Sequence, residues 1–82
     1  MHELSIAVNI VEVASEEAER LCARRVEAIH LKVGALSGVV KDALLFAWQI
    51  ASEGSAVAGS RLAIEDTAGR ELEVFALEIE DP

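Results

Sequence analysis

Apolar residues near the start of the chain recur at steps of three and four, the spacing that places side chains on one face of an amphipathic helix. They are Leu4, Ala7, Ile10, Val11, Ala14, Ala18 and Leu21. The pattern predicts a first helix from Leu4 to about Cys22, with Glu3 where a carboxylate favours a helix N-terminus. Such a helix would hold Met1 and His2 on a stiff base.

The next segment, residues 26–33, changes to a period of two. Ile29, Leu31 and Val33 share one face, and His30 and Lys32 share the other, which predicts a half-buried strand. No cysteine or second histidine lies close to His30 in the sequence. A solvated histidine on the polar sheet face therefore explains His30 better than a role as metal ligand.

A glycine-containing segment, residues 34–38, then leads into a second helix with Ser37 as the expected cap. The apolar stripe of this helix consists of Val40, Ala43, Leu44, Ala47, Trp48 and Ala51. Trp48 and Phe46 are expected to pack in the core or at an interface. The segment lacks the spacing of a nucleotide-binding loop, so it is interpreted as a tight turn between strand and helix.

Two further strands are predicted, at residues 61–65 and 71–80, joined by a short turn at residues 66–70. The last strand changes phase, because Leu72 and Val74 occupy one face whereas Phe75, Leu77 and Ile79 occupy the other. This change predicts a bulge near Phe75 and Ala76.

The predicted fold class is α+β, with two helices packed on one face of a three-stranded mixed sheet in the order αβαββ. A right-handed crossover makes the first two strands parallel, and the third is expected to return antiparallel as a hairpin. With 82 residues, 52% of them hydrophobic, the chain fits a single domain spanning residues 1–82. So small a core is marginal alone and would gain from a partner or from homo-oligomerisation.

Charge and cysteine content exclude several classes of function. Fifteen acidic residues against seven basic ones give a formal net charge of −8, which argues against nucleic acid as a partner. Cys22 is the single cysteine, so no internal disulfide forms and a reducing compartment is expected. The longest uncharged run, residues 43–52, is too short to span a bilayer, so no membrane association is predicted and the expected location is cytoplasmic.

The first two residues offer a compact set of nitrogen donors. The amine of Met1, the backbone nitrogen of His2 and the His2 imidazole can close adjacent chelate rings on one metal ion, an arrangement that suits square-planar Ni(II) or Cu(II). Removal of an N-terminal methionine generally needs a small second residue, so His2 should keep the amine on Met1. A histidine at position 2 is also commonly a solvated terminal side chain, and the residues alone favour that simpler interpretation.

Several segments occur together in one order along the chain. They are Met1-His2-Glu3-Leu4-Ser5-Ile6, Arg25-Val26 at the start of a strand, Val33-Gly34-Ala35-Leu36-Ser37-Gly38-Val39, Leu44 to Trp48, Glu53-Gly54-Ser55 and Leu77 to Glu80. In this order they resemble the HypA family of nickel-delivery proteins, which mature nickel-iron hydrogenases. The resemblance implies that Met1 and His2 bind Ni(II), with Glu3 assisting through its backbone nitrogen or its carboxylate. It also implies two partners, the maturation GTPase HypB and the hydrogenase large-subunit precursor.

One departure from the family is large. HypA proteins carry a zinc module with two Cys-x-x-Cys pairs between the last two strands, whereas residues 66–70 here form only a short turn. With one cysteine the chain cannot provide a four-cysteine site, so no zinc is expected. The module is either naturally absent or has been deleted.

Two hypotheses follow from the resemblance. In the first, the chain is a Ni(II)-binding metallochaperone core that delivers nickel for hydrogenase maturation. In the second, it is an interaction module that docks on the maturation GTPase without handling metal itself. An enzyme is not predicted, because two histidines without a nearby nucleophile or nucleotide loop form no catalytic constellation.

Overall fold

A computed structural model describes residues 2–81 of the chain. Its two helices and three strands follow the predicted order, αβαββ. The elements are α1 (Glu3–Arg20), β1 (Arg25–Gly34), α2 (Lys41–Ala51), β2 (Arg61–Thr67) and β3 (Leu72–Glu80). The predicted α+β class with two helices and a three-stranded mixed sheet is confirmed.

Helix α1 packs on the sheet through a stripe slightly displaced from the predicted one. Its buried residues are Ile6, Ala7, Ile10, Ala14 and Ala18. Leu4 and Leu21, which the periodicity placed on the stripe, are 49% and 38% exposed. They occupy the two ends of the helix, where neighbouring elements no longer cover the side chains. Burial of the central stripe orients α1 and thereby fixes the position of its first turn.

The sheet has the order β2-β1-β3, with β1 in the centre. Strand β1 pairs in parallel with β2, as predicted for the crossover through α2. The predicted hairpin is wrong, because β3 pairs antiparallel with β1 and not with β2. Ile29 and Leu31 of β1 are almost completely buried, and a strand with that much burial is best placed between two neighbours.

The link between β2 and β3 passes over the end of β1, which is how the two outer strands are joined. Leu36 donates a backbone hydrogen bond to the carbonyl of Gly69 (2.8 Å). Gly34 donates one to the carbonyl of Glu71 (2.7 Å). These bonds tie the end of β1 and the following loop to the link, so residues 34–36 and 69–71 form one compact corner.

The predicted bulge in β3 is confirmed. His30 pairs with Ala76 and Leu31 pairs with Val74, which leaves Phe75 as the extra residue. The bulge restores Leu77 and Ile79 to the half-buried face, so the prediction that Phe75 shares a face with them is wrong. Phe75 instead lies beside His30, with ring centroids 5.9 Å apart, and beneath the Lys32 ammonium at 4.9 Å.

Helix α2 completes the core through Leu44, Ala47 and Trp48. The indole nitrogen of Trp48 donates to the carbonyl of Ser60 (3.1 Å), so this buried polar atom is satisfied. Phe46 is 66% exposed and does not belong to the core. The expectation that Ser37 caps α2 is wrong, because the helix begins only at Lys41 and the Ser37 hydroxyl accepts from the backbone of Val39.

Candidate metal centre

His2 occupies the N-cap position of α1, directly before the first helical residue. Its backbone is extended, with φ −92° and ψ 127°, and its carbonyl accepts a hydrogen bond from the backbone nitrogen of Ile6 (3.2 Å). The residue is exposed, and its imidazole makes no capping hydrogen bond. The backbone of His2 is therefore fixed by the helix while its ring faces solvent. Met1, the other predicted nitrogen donor, lies outside the described residues.

The backbone N–H groups at this position do not donate hydrogen bonds within the helix. The first N–H groups of an α-helix have no acceptor within that helix, because the carbonyls they would need belong to residues before its start. This applies to Glu3, the first residue of α1, and the N-cap nitrogen of His2 likewise needs no helical partner. A helix that starts at Glu3 thus leaves backbone nitrogens and an imidazole together at one end.

Glu3 connects this end of α1 to the start of α2. Its carboxylate oxygen Oε2 accepts a hydrogen bond from the backbone nitrogen of Val40, at 3.2 Å. Val40 is the N-cap of α2, and its own carbonyl accepts from Leu44 (3.0 Å). The Val40 amide, followed by the backbone amide of Glu3 itself, lowers the pKa of the Glu3 carboxyl below its ordinary value. Glu3 is therefore ionised at neutral pH, and one of its oxygens is engaged.

Across residues 2–81, no three His, Cys, Asp or Glu side chains lie close enough together to hold a metal ion. A metal bound at His2 would thus depend on main-chain nitrogen as well as on the imidazole. The adjacency of Met1 and His2 in the sequence already predicts that dependence, whereas no sequence pattern predicts the part played by Val40.

The second histidine belongs to a different surface. His30 lies on the sheet face opposite the helices, where its Nε2 is 2.5 Å from the Oε2 of Glu78. The Arg61 guanidinium is 3.5 Å from the same oxygen. A histidine paired in this way across β1 and β3 is a surface contact within the sheet. The register that brings Glu78 to His30 had no signal in the local sequence.

The sequence has one cysteine, whereas the zinc module described above for the HypA family uses four. A four-cysteine site cannot be built within one chain from Cys22 alone. Cys22 is exposed and lies just after the end of α1, whereas the link at residues 68–71 contains no cysteine, histidine or aspartate. Separately, none of the helices within residues 2–81 has the length and apolar character needed to cross a membrane.

The arrangement defines a small α+β domain in which an exposed histidine and backbone nitrogens meet at the start of the first helix. Residues 1–77 match the family model described as "Hydrogenase/urease nickel incorporation, metallochaperone, hypA". The chain therefore belongs to the HypA family. Members of this family are metallochaperones and maturation factors, not enzymes, so the expectation that the chain is not an enzyme is confirmed.

Named relatives support the assignment. The "Hydrogenase maturation factor HypA" of Chloroflexus aurantiacus is 54% identical over 66 residues, covering 80% of this chain and 58% of that protein. The protein of the same name from Geobacter sulfurreducens is 43% identical over 70 residues, covering 85% and 61%. The chain thus spans about three fifths of the length of these relatives.

The fold has a counterpart among solved structures. The solution structure of the Ni metallochaperone HypA from Helicobacter pylori superposes with a TM-score of 0.86 and covers 100% of both chains. Its sequence identity to this chain is 20%, so the likeness concerns the fold alone.

Proposed function

We propose that this chain binds Ni(II) as a cargo ion through the Met1 amine, the His2 backbone nitrogen and the His2 imidazole. The observation that carries the proposal is the position of His2, whose backbone is fixed at the start of α1 while its ring is exposed. Two adjacent chelate rings joined at the His2 nitrogen place the three donors in one plane. Flat coordination by nitrogen is the geometry that Ni(II) accepts and tetrahedral Zn(II) does not.

The fourth position of such a plane lies opposite the His2 backbone nitrogen. The backbone nitrogen of Glu3 cannot reach it, because a chelate ring through the His2 carbonyl carbon would hold the two nitrogens side by side. The position is therefore open to water or to a ligand from another protein. An open position on an exposed site lets an acceptor bind nickel before the first donors leave.

A metal cation at His2 lies next to the partial positive charge of the α1 N-terminus, which must be offset by negative charge at the site. A helix N-terminus carries a partial positive charge, which opposes a cation. Loss of the proton from the His2 backbone nitrogen reduces that opposition. Because the donors must lose protons to bind the metal, nickel affinity should fall as the pH is lowered.

In the cell, we propose that the cargo is passed on during hydrogenase maturation. The partners suggested by the resemblance are the GTPase HypB and the hydrogenase large-subunit precursor, with transfer in the cytoplasm. Residues 1–82 act as one nickel-binding domain, in which the predicted turn of residues 66–70, observed as the link of residues 68–71 after β2, stands in place of a zinc module. A domain of this size would also gain stability from homo-oligomerisation.

Equilibrium titration with Ni(II) tests the proposal, with His2→Ala compared against His30→Ala. The two variants each remove one imidazole, but His30 pairs with Glu78 on the open sheet face. We expect one nickel ion per chain in the wild-type protein and in His30→Ala, with binding lost in His2→Ala. Unchanged stoichiometric binding in His2→Ala would exclude the proposed site.

A second candidate function is docking on the maturation GTPase without metal handling. It is favoured by exposed apolar side chains around the start of the two helices, since Leu4, Leu36 and Val40 are 49%, 66% and 59% exposed. Binding of HypB that persists in His2→Ala and in the presence of a nickel chelator, together with no nickel binding by the wild-type chain, would favour this alternative.

A further inference from the structure

The bond between Glu3 and Val40 joins residues 37 positions apart in the sequence. Valine has no side-chain oxygen with which to cap α2, and the N-cap of that helix makes no side-chain hydrogen bond of its own. In the common capping box, a glutamate three residues into a helix accepts from the backbone nitrogen of that helix's own N-cap. Here the glutamate comes from the start of the other helix.

Hydrogen bonds hold the adjacent residues His2 and Glu3 to both helices. The carbonyl of His2 accepts from Ile6 within α1 at 3.2 Å, and the carboxylate of Glu3 accepts from Val40 at the same distance. The carbonyl of Val40 in turn accepts from Leu44 within α2 at 3.0 Å. Since Leu44 is completely buried, Val40 is anchored to the core of the domain.

We propose that Glu3 is a positioning residue for the nickel site, in that its carboxylate holds the first turn of α1 against the start of α2 and so orients the His2 donors. This inference rests on the proposed function. The physical reason is preorganisation, because a chelate whose backbone is already fixed loses less conformational freedom when it binds. A frayed first turn would release the His2 peptide and weaken the hold on the metal.

The same geometry separates positioning from direct ligation. Oε2 of Glu3 is engaged by Val40, so a carboxylate that turned to nickel would have to release α2. Replacement by glutamine keeps an acceptor oxygen of the same reach but removes the charge. A positioning role therefore tolerates glutamine, whereas a ligand role does not.

The test measures the rate at which nickel leaves the protein after excess EDTA is added, together with the visible absorption of the nickel complex. The variants are Glu3→Gln, Glu3→Ala, Val40→Pro and the double variant Glu3→Ala/Val40→Pro. Proline removes the donor N–H, and the φ of Val40, −90°, is near the range that proline permits. Lys41→Ala is the matched control, because it removes the neighbouring ion pair with Asp66 (2.7 Å) and leaves the Glu3 bond intact.

We expect Glu3→Ala and Val40→Pro each to release nickel about three- to tenfold faster, the range that loss of one hydrogen bond produces. Glu3→Gln and Lys41→Ala should remain within about twofold of the wild-type rate. The double variant should release nickel no faster than the single variants, because both remove the same bond. The absorption spectrum should be the same in all of them.

Two results would overturn the inference while the proposed function stands. A wild-type rate in Glu3→Ala would show that the bond does not position the site. A Glu3→Gln protein as fast as Glu3→Ala, with a shifted absorption band, would make Glu3 a ligand. Failure of the proposed function gives a different result from failure of the positioning role. The wild-type chain would then bind no nickel, or His2→Ala would bind nickel normally. Either result would also remove the positioning role.

Discussion

Gly34 and Gly69 approach so closely that a Cβ atom added to Gly34 would overlap the carbonyl group of Gly69. The contact lies where the link between β2 and β3 crosses the end of β1. Backbone hydrogen bonds from Gly34 to Glu71 (2.7 Å) and from Leu36 to Gly69 (2.8 Å) hold the crossing together. Neither side can move away without breaking a bond.

Substitution of Gly34 by alanine should therefore lower the free energy of unfolding by about 3 kcal/mol, because the extra carbon meets backbone and not a flexible side chain. Gly38→Ala is the control. Gly38 has a positive φ of 80° but no atom within 4 Å of an added Cβ. Gly38→Ala should lower the free energy of unfolding by only about 1 kcal/mol, through backbone strain. Chemical denaturation checks both values, and equal losses in the two variants would contradict the close approach.

Cys22, the second residue after the end of α1, has a left-handed backbone conformation, with φ 54°. Ala23 donates to the carbonyl of Ala18 (3.0 Å), which is the long hydrogen bond of a helix-terminating turn in which glycine is preferred. Replacing Cys22 by glycine should raise the free energy of unfolding by about 1 kcal/mol. Cys22→Ala, which removes the thiol but keeps the strained Cβ, should change stability little. A glycine variant no more stable than the alanine variant would show that backbone strain is absent.

Trp48 packs in the core, and its indole nitrogen donates a hydrogen bond to the carbonyl of Ser60. Trp48→Phe leaves that carbonyl without its partner and creates a cavity, so the free energy of unfolding should fall by about 2–3 kcal/mol. Phe46→Leu, at a position that is 66% exposed, should stay within about 0.5 kcal/mol of the wild type. Similar losses in both variants would mean that Trp48 is not the core aromatic residue.

The periodicity of the sequence was sufficient to predict the helices and the burial of Ile29, Leu31 and Val33, because these depend on neighbours within a few residues. It was insufficient for strand order. Whether β3 pairs with β1 or β2 depends on which strand has a neighbour at both of its edges. The strand order is decided only when all the elements pack together. The predicted hairpin failed for that reason.

At the candidate site, too, the local features could be predicted from the sequence and the long-range contacts could not. The adjacency of Met1 and His2 is a local feature and could be recognised from the sequence. The bond from Glu3 to Val40 and the pairing of His30 with Glu78 join residues 37 and 48 positions apart. No local pattern marks Val40 as a donor, because the group involved is a backbone amide that every residue except proline carries.

The carboxyl of Glu17 should titrate below the ordinary glutamate value of about 4.3. Its hydrogen bonds from the Arg20 guanidinium are the main cause of this lowered pKa. Because the folded pKa is depressed, the pair contributes stability above the ordinary pKa and loses it as the pH falls through the folded value. NMR titration should show the Glu17 pKa rising in Arg20→Gln and unchanged in Arg24→Gln. An unchanged Glu17 pKa in Arg20→Gln would contradict the pairing.

Visible absorption during a Ni(II) titration tests the central claim most directly. The wild-type chain with a free amine is compared with the same chain acetylated at its N-terminus and with His2→Ala. Acetylation removes a basic donor while leaving every side chain in place. We predict a yellow, square-planar species that saturates at one nickel per wild-type chain and is absent from both altered proteins. The same species in the acetylated chain would contradict a nickel site built on the Met1 amine and His2.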